Sequence, residues 1–185
     1  MPRDRGGQVV VAIRRSLNVI MFILWPSYMR SGNAHSPRLV LQCWARQKIL
    51  RRNAKVPWPV HPSSLIRAPS RIDRGSRTPG LAVGCYIDGR NGIVLGDNVW
   101  IGPYVRIISM NHDVSNYDCY VTTDAIHIER NSWIGAGATI LPSVRLGQHT
   151  VVGAGAVVTK SFPEGNQVLA GNPARVVKKL TPYGV

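Results

Sequence analysis

Aliphatic side chains recur at every sixth residue through much of the C-terminal half of the chain: Ile128, Ile134, Ile140, Leu146, Val152 and Val158. Four positions after each comes a mostly small or β-branched residue, Ser132, Ala138, Val144, Thr150 and Ala156, until Phe162 ends the series. The same rhythm appears upstream at Leu95, Ile101 and Ile107, and less evenly at Ile66, Ile72, Leu81 and Ile87. A period of six matches neither a helix nor an alternating strand. It fits a short strand plus a turn repeated around a prism, in which successive coils stack aliphatic side chains into an interior column and each coil leans on its neighbours. Gly135, Gly147 and Gly153 follow aliphatic positions and are expected at tight corners, where positive φ would strain other residues.

The rhythm breaks once. From Ile107 to Ile128 is 21 positions where six would keep the period, so about fifteen extra residues leave the prism within a loop over 108–127. Long irregular loops in compact repeats are frequently functional. This one holds "SMNHDVSNYDCY", with His112 between Asn111 and Asp113.

Composition sharpens the picture in three places. At 185 residues with 18 Gly and 7% aromatics, the chain suits one β-rich domain with many turns better than a helical bundle. The net charge of +14 is front-loaded: residues up to Arg77 hold fifteen basic and two acidic side chains, whereas those from Thr78 hold eight and seven. Such a field suits nucleic acid, anionic lipid or an acidic polymer, or simply a solvated surface. Cys43, Cys85 and Cys119 are odd in number and lack CxxC spacing, which fits a reducing, cytoplasmic setting and argues against a disulfide framework or a zinc site. The longest apolar run, Leu17–Trp25, is far below the roughly 20 residues of a membrane span. It reads as an amphipathic or buried helix, which allows peripheral contact with a membrane or packing against a neighbouring subunit.

The stretches "NGIVLGDNVWIGPYVRIISMNHD" and "NSWIGAGATILPSVRLGQHTVVGAGAVVTKSFPEGNQVLAGNPARVVKKL" resemble the hexapeptide-repeat acyltransferases, and their "VVTK" and "AGNPARVVKK" steps resemble the sugar and xenobiotic O-acetyltransferases among them. The resemblance implies an all-β fold, a left-handed parallel β-helix with one protruding active-site loop. It would comprise a basic, partly helical extension (1–56), the β-helix (57–180) and a short tail (181–185). It also implies a homotrimer with active sites between subunits.

By the same resemblance His112 is the general base, removing a proton from a hydroxyl that attacks acetyl coenzyme A. Imidazole, with an ordinary pKa of about 6.5, can accept and return a proton near neutral pH. Asp88, where the sugar acetyltransferases commonly carry Asn, would contact the sugar together with Asn111 and Tyr86. A carboxylate accepts hydrogen bonds there but cannot donate them. On the acyl side the resemblance places Trp133 by the thioester arm, the Ala136 N–H at the oxyanion, and Ala154, Thr159 and Lys160 along the pantetheine groove. Arg175, Lys178 and Lys179 would meet the coenzyme phosphates. A turn Asp at 88, a small corner residue at 154 and a solvated basic tail are the plain alternatives.

The leading expectation is therefore acetyl-coenzyme-A-dependent O-acetylation of a sugar or glycan-precursor hydroxyl, without a metal. An antibiotic or other small hydroxylated compound is the second candidate. A noncatalytic basic protein gripping nucleic acid or an anionic membrane is the third. Nucleic acid is not expected, because aromatic residues are not interleaved with the basic ones. The prism of the γ-type carbonic anhydrases is disfavoured, since His112, His127 and His149 lack the expected spacing of three metal ligands. His35 and His61 lie outside the regular repeats.

Overall fold

The computed structural model describes residues 37–184, so the Leu17–Trp25 run and His35 lie outside the described residues. From Leu65 onward the chain winds as a parallel β-solenoid with three faces. Face one stacks Leu65–Arg67, Tyr86–Asp88, Arg106–Ile108, Thr139–Ile140 and Val157–Val158. Face two stacks Ile72–Asp73, Ile93–Leu95, Ile126–Ile128 and Arg145–Leu146. Face three stacks Trp100–Ile101, Trp133–Ile134, Thr150–Val152 and Gln167–Gly171, closed by the antiparallel strand Ala174–Lys179. The left-handed winding that the resemblance implies is consistent with this arrangement.

The period of six becomes one face per step. Ile128, Ile134 and Ile140 lie on faces two, three and one, and each pairs with the residue eighteen further on: Leu146, Val152 and Val158. The residues so stacked are buried, and they form one continuous core. Across the excursion the partners Leu95 and Ile128, Ile101 and Ile134, and Ile107 and Ile140 are each 33 apart, one coil plus fifteen residues. The first coils are ragged because Ile66 pairs with Ile87 and Ile72 with Ile93, 21 residues on, so three extra residues bulge from that turn.

Two expectations need correction. Leu81 does not join the column: it packs with Val40 and Cys43 under the helix Pro37–Ile49, in a separate small cluster. The glycines after aliphatic positions are also not positive-φ corners. A Cβ on Gly147 would sit 2.2 Å from the Pro163 carbonyl oxygen, and one on Gly135 2.7 Å from the Ala154 nitrogen, so close approach of the next coil demands glycine there. Left-handed corner residues between faces two and three are instead Asn98, Asn131, His149 and Asn166. Asn tolerates this conformation better than most residues, and the side chains bond along the stack, Asn98 Nδ2 to Asn131 Oδ1 at 2.9 Å.

The helix Pro37–Ile49 caps the solenoid. Its basic Arg46 and Lys48 in the last turn suit the negative end of the helix dipole. Gln47, buried, donates from Nε2 to the carbonyls of Asn53 and Val56, both at 2.9 Å, and accepts from the Val60 N–H at 3.1 Å. Val56, Trp58 and Val60 belong to the main core, so the chain joins the prism at Val56.

Candidate active site

The fifteen-residue excursion folds into a hairpin, with Asn111–His112 antiparallel to Tyr120–Val121. Its tip is shaped by Asp113, whose Oδ1 accepts from the Ser115 N–H at 2.8 Å and hydroxyl at 2.6 Å. Those Ser115 hydrogen bonds hold the Asp113 carboxyl below the usual range. Asp113 therefore fixes the turn, and no hydrogen bond joins it to His112.

His112 Nδ1 lies against the Tyr117 carbonyl oxygen. A carbonyl only accepts, so Nδ1 carries the hydrogen and the neutral ring keeps the lone pair of Nε2 free. The ring is exposed and rests 4.5 Å from the Tyr120 ring centre. Over Tyr120, at 4.6 Å, sits the guanidinium of Arg90.

Arg90 in turn grips Asp88. Its Nε donates to Oδ1 and Oδ2 at 3.0 Å and its Nη2 to Oδ2 at 2.8 Å, while the Arg90 N–H reaches Oδ1 at 3.1 Å. The Tyr86 hydroxyl donates to Oδ2 at 3.3 Å. Burial pushes the Asp88 carboxyl up, but the Arg90 side-chain and backbone hydrogen bonds outweigh it and hold the group below the usual range. Asp88 is 0% exposed while the Arg90 side chain keeps 25%. The group facing solvent at this spot is thus Arg90, with Asp88 as its buried counter-ion. Asn91 pins the hairpin to the same corner, donating from Nδ2 to the Val121 carbonyl at 2.9 Å and to Thr123 Oγ1 at 3.0 Å.

Sequence reasoning thus named His112, Asn111, Asp88 and Tyr86 but missed Arg90, Asn91 and Tyr120. The signal for Arg90 was Asp-Gly-Arg at a strand end, where a carboxylate readily accepts from the N–H two residues on.

The acyl-side candidates lie elsewhere. Trp133 is 56% exposed on face three, in register with Trp100 and Val151. With His149 and Tyr183 these residues line an open groove of 470 Å³. Arg77 stacks 3.5 Å over the Trp100 ring. Ala136 and Ala154, one coil apart, are exposed at the corner after face three, and no described residue accepts from the Ala136 N–H. Thr159 and Lys160 follow Val158 at the corner from which the hairpin springs, two coils along. Arg175, Lys178 and Lys179 are exposed on the terminal strand, where Lys179 Nζ is held by Glu164 Oε2 at 2.6 Å. His127 lies on face two and His149 at the corner after it, both half-buried. Among the described residues no group of three metal-ligating side chains converges. Among the described residues no hydrogen bond or ring contact joins the His112 cluster to the Trp133 groove within one chain.

Residues 125–160 match the family described as bacterial transferase hexapeptide (six repeats). That match lies within the regular repeats of the solenoid. Over 67 residues, 32% of its length, the chain is 38% identical to a galactoside O-acetyltransferase of Lactococcus lactis subsp. lactis (strain IL1403); the match spans only 30% of that relative's length. The maltose O-acetyltransferase of Clostridium difficile 630 superposes with a TM-score of 0.55 at 24% identity, covering 94% of this chain and 89% of that one. A galactoside acetyltransferase in complex with coenzyme A gives 0.59 at 24% identity, covering 85% and 82%. An N-acyltransferase of Bacillus cereus, in complex with dTDP and 3-hydroxybutyryl-CoA, gives 0.54 at 19%, covering 66% and 79%. At such identities these structures show the fold the hexapeptide repeats share.

Proposed function

We propose that this protein transfers an acetyl group from acetyl coenzyme A to a hydroxyl of a sugar or glycan precursor, working as a homotrimer with His112 as general base. The observation that carries this reading is the Nδ1 contact to the Tyr117 carbonyl, which leaves Nε2 as a proton acceptor on an exposed hairpin. Nε2 takes the hydroxyl proton as the oxygen attacks the thioester carbonyl carbon. The resulting oxyanion takes a hydrogen bond from the unengaged Ala136 N–H, a main-chain donor that needs no reorganisation. Collapse of the intermediate breaks the C–S bond, and the imidazolium returns its proton to the thiolate, giving the ester and free coenzyme A.

Asn111, Tyr86 and the Arg90–Asp88 pair form the sugar side, with Arg90 as the group that meets the sugar. The arm of the coenzyme lies on the Trp133 groove and past Ala154, Thr159 and Lys160, and its phosphates meet Arg175 and Lys178, with Lys179 shared with Glu164. The named activities of the galactoside and maltose O-acetyltransferases support a sugar hydroxyl as acceptor. An antibiotic or other small hydroxylated acceptor would use the same residues.

Thiol release from acetyl coenzyme A, followed across a panel of sugars, tests activity and acceptor together. His112→Ala is expected to lower turnover by about 10²–10⁴ while leaving the fold intact. Turnover retained in that variant would remove His112 from the mechanism.

A further inference from the structure

The cap of the solenoid carries a surface that acyl transfer does not use. Between residues 37 and 72 the sequence holds eight Lys and Arg and no Asp or Glu. Four of those cations, Lys48, Arg51, Arg52 and Lys55, crowd where the helix ends and the chain turns toward the prism. All four are exposed, and none meets a carboxylate among the described residues. Between them stand Ile49 and Leu50, 77% and 66% exposed. An open groove of 460 Å³ runs alongside, lined by Arg51, Lys55, Leu65 and Pro69 among others.

Clustered cations without counter-ions repel one another, and the exposed aliphatic tips among them stay hydrated. A partner that relieves both is anionic at its surface and apolar just beneath. Nucleic acid supplies the anion but no apolar layer, and residues 48–55 contain no aromatic ring on which a base could stack. A phospholipid surface supplies both.

We propose that this cap docks on an anionic phospholipid surface, with Lys48, Arg51, Arg52 and Lys55 among the headgroups and Ile49 and Leu50 inserted between them. The strand Leu65–Arg67 beside the groove pairs directly with Tyr86–Asp88, so the docked surface lies one coil from the Arg90 cluster. Docking stands independently of the acyl-transfer reading.

Flotation of the full chain with vesicles of phosphatidylcholine alone, or mixed with phosphatidylglycerol, reads the contact. Binding is expected on the mixed vesicles only, weakening with salt. Arg51→Gln/Arg52→Gln/Lys55→Gln should lower the partition by about a hundredfold. Ile49→Ser/Leu50→Ser should lower it roughly tenfold. All five side chains are exposed, so thermal melting is expected to be unchanged. Thiol release with a soluble acceptor should stay at the wild-type rate in both variants, which separates failure of docking from failure of the catalytic reading. Absence of binding to the mixed vesicles would overturn the proposal, as would wild-type binding by both variants, which would place the contact in residues 1–36. Tighter binding to a single-stranded oligonucleotide than to the mixed vesicles, lost in the same variants, would make nucleic acid the partner.

Discussion

A carboxylate removed from water and gripped by a guanidinium gives position 88 a different task from that of an amide. Asp88 is closed off beneath Arg90, and its charge fixes a fork that bears on Tyr120, which in turn backs His112. Asp88→Asn keeps the shape but removes the counter-charge, leaving a partly buried cation unpaired. With one partner a quarter exposed, the loss is expected at about 2 kcal/mol, below that of a fully buried pair. The folded carboxyl sits below its ordinary value, so its contribution is fully present above about pH 4 and fades as pH falls through the depressed folded value. Urea midpoints of wild type and Asp88→Asn should therefore differ at pH 7 and converge in acid. A gap that persists unchanged at acid pH would mean that the charge is not what stabilises the pair.

At the scale of the element, the sequence announced its coils because burial imposes one aliphatic side chain per face at a fixed interval. Ile140, buried between Ile107 and Val158, can relax little when truncated. Ile140→Ala is expected to cost about 2–5 kcal/mol in chemical denaturation; a loss below about 1 kcal/mol would mean that the coil collapses to fill the space. Asn131 offers the converse test at a half-buried corner. At φ 60, Asn131→Gly should cost only the hydrogen bond from Asn98 Nδ2, about 1 kcal/mol, and Asn131→Val clearly more, read by the same denaturation midpoints. What the pattern could not convey is also physical. Six-residue spacing does not tell Leu81 under the helix from a column residue, because both are buried aliphatics. Nor does it reveal that the excursion is a hairpin, since Asn111–His112 and Tyr120–Val121 are exposed on both sides and carry no alternation. His112 could be named as a candidate from the resemblance, whereas its neighbours Arg90 and Tyr120 come into view only once the hairpin folds back over the corner.

For the whole molecule the prism itself sets the constraint. The hairpin springs from the corner between faces one and two, and in a three-faced prism that corner is opposite face three, where Trp133 stands. His112 and the aromatic groove of one chain therefore lie on opposite sides of the prism, and the proposed joint site would draw its groove from a neighbour. In a closed ring of three, each seam would pair one chain's hairpin with the next chain's face. This makes subunit mixing a decisive test. His112→Ala lacks the proposed base but keeps the groove; Trp133→Ala weakens the groove but keeps the proposed base. Unfolded together in equal amounts and reassembled, they form a productive seam wherever a chain with its base precedes a chain with its groove, roughly a quarter of all seams under random closure. Thiol release by the mixture should then rise toward about a quarter of the wild-type rate, well above the two variants assayed apart. A mixture no faster than the average of its separate components would place base and groove in the same chain and dissolve the seam as the site of reaction.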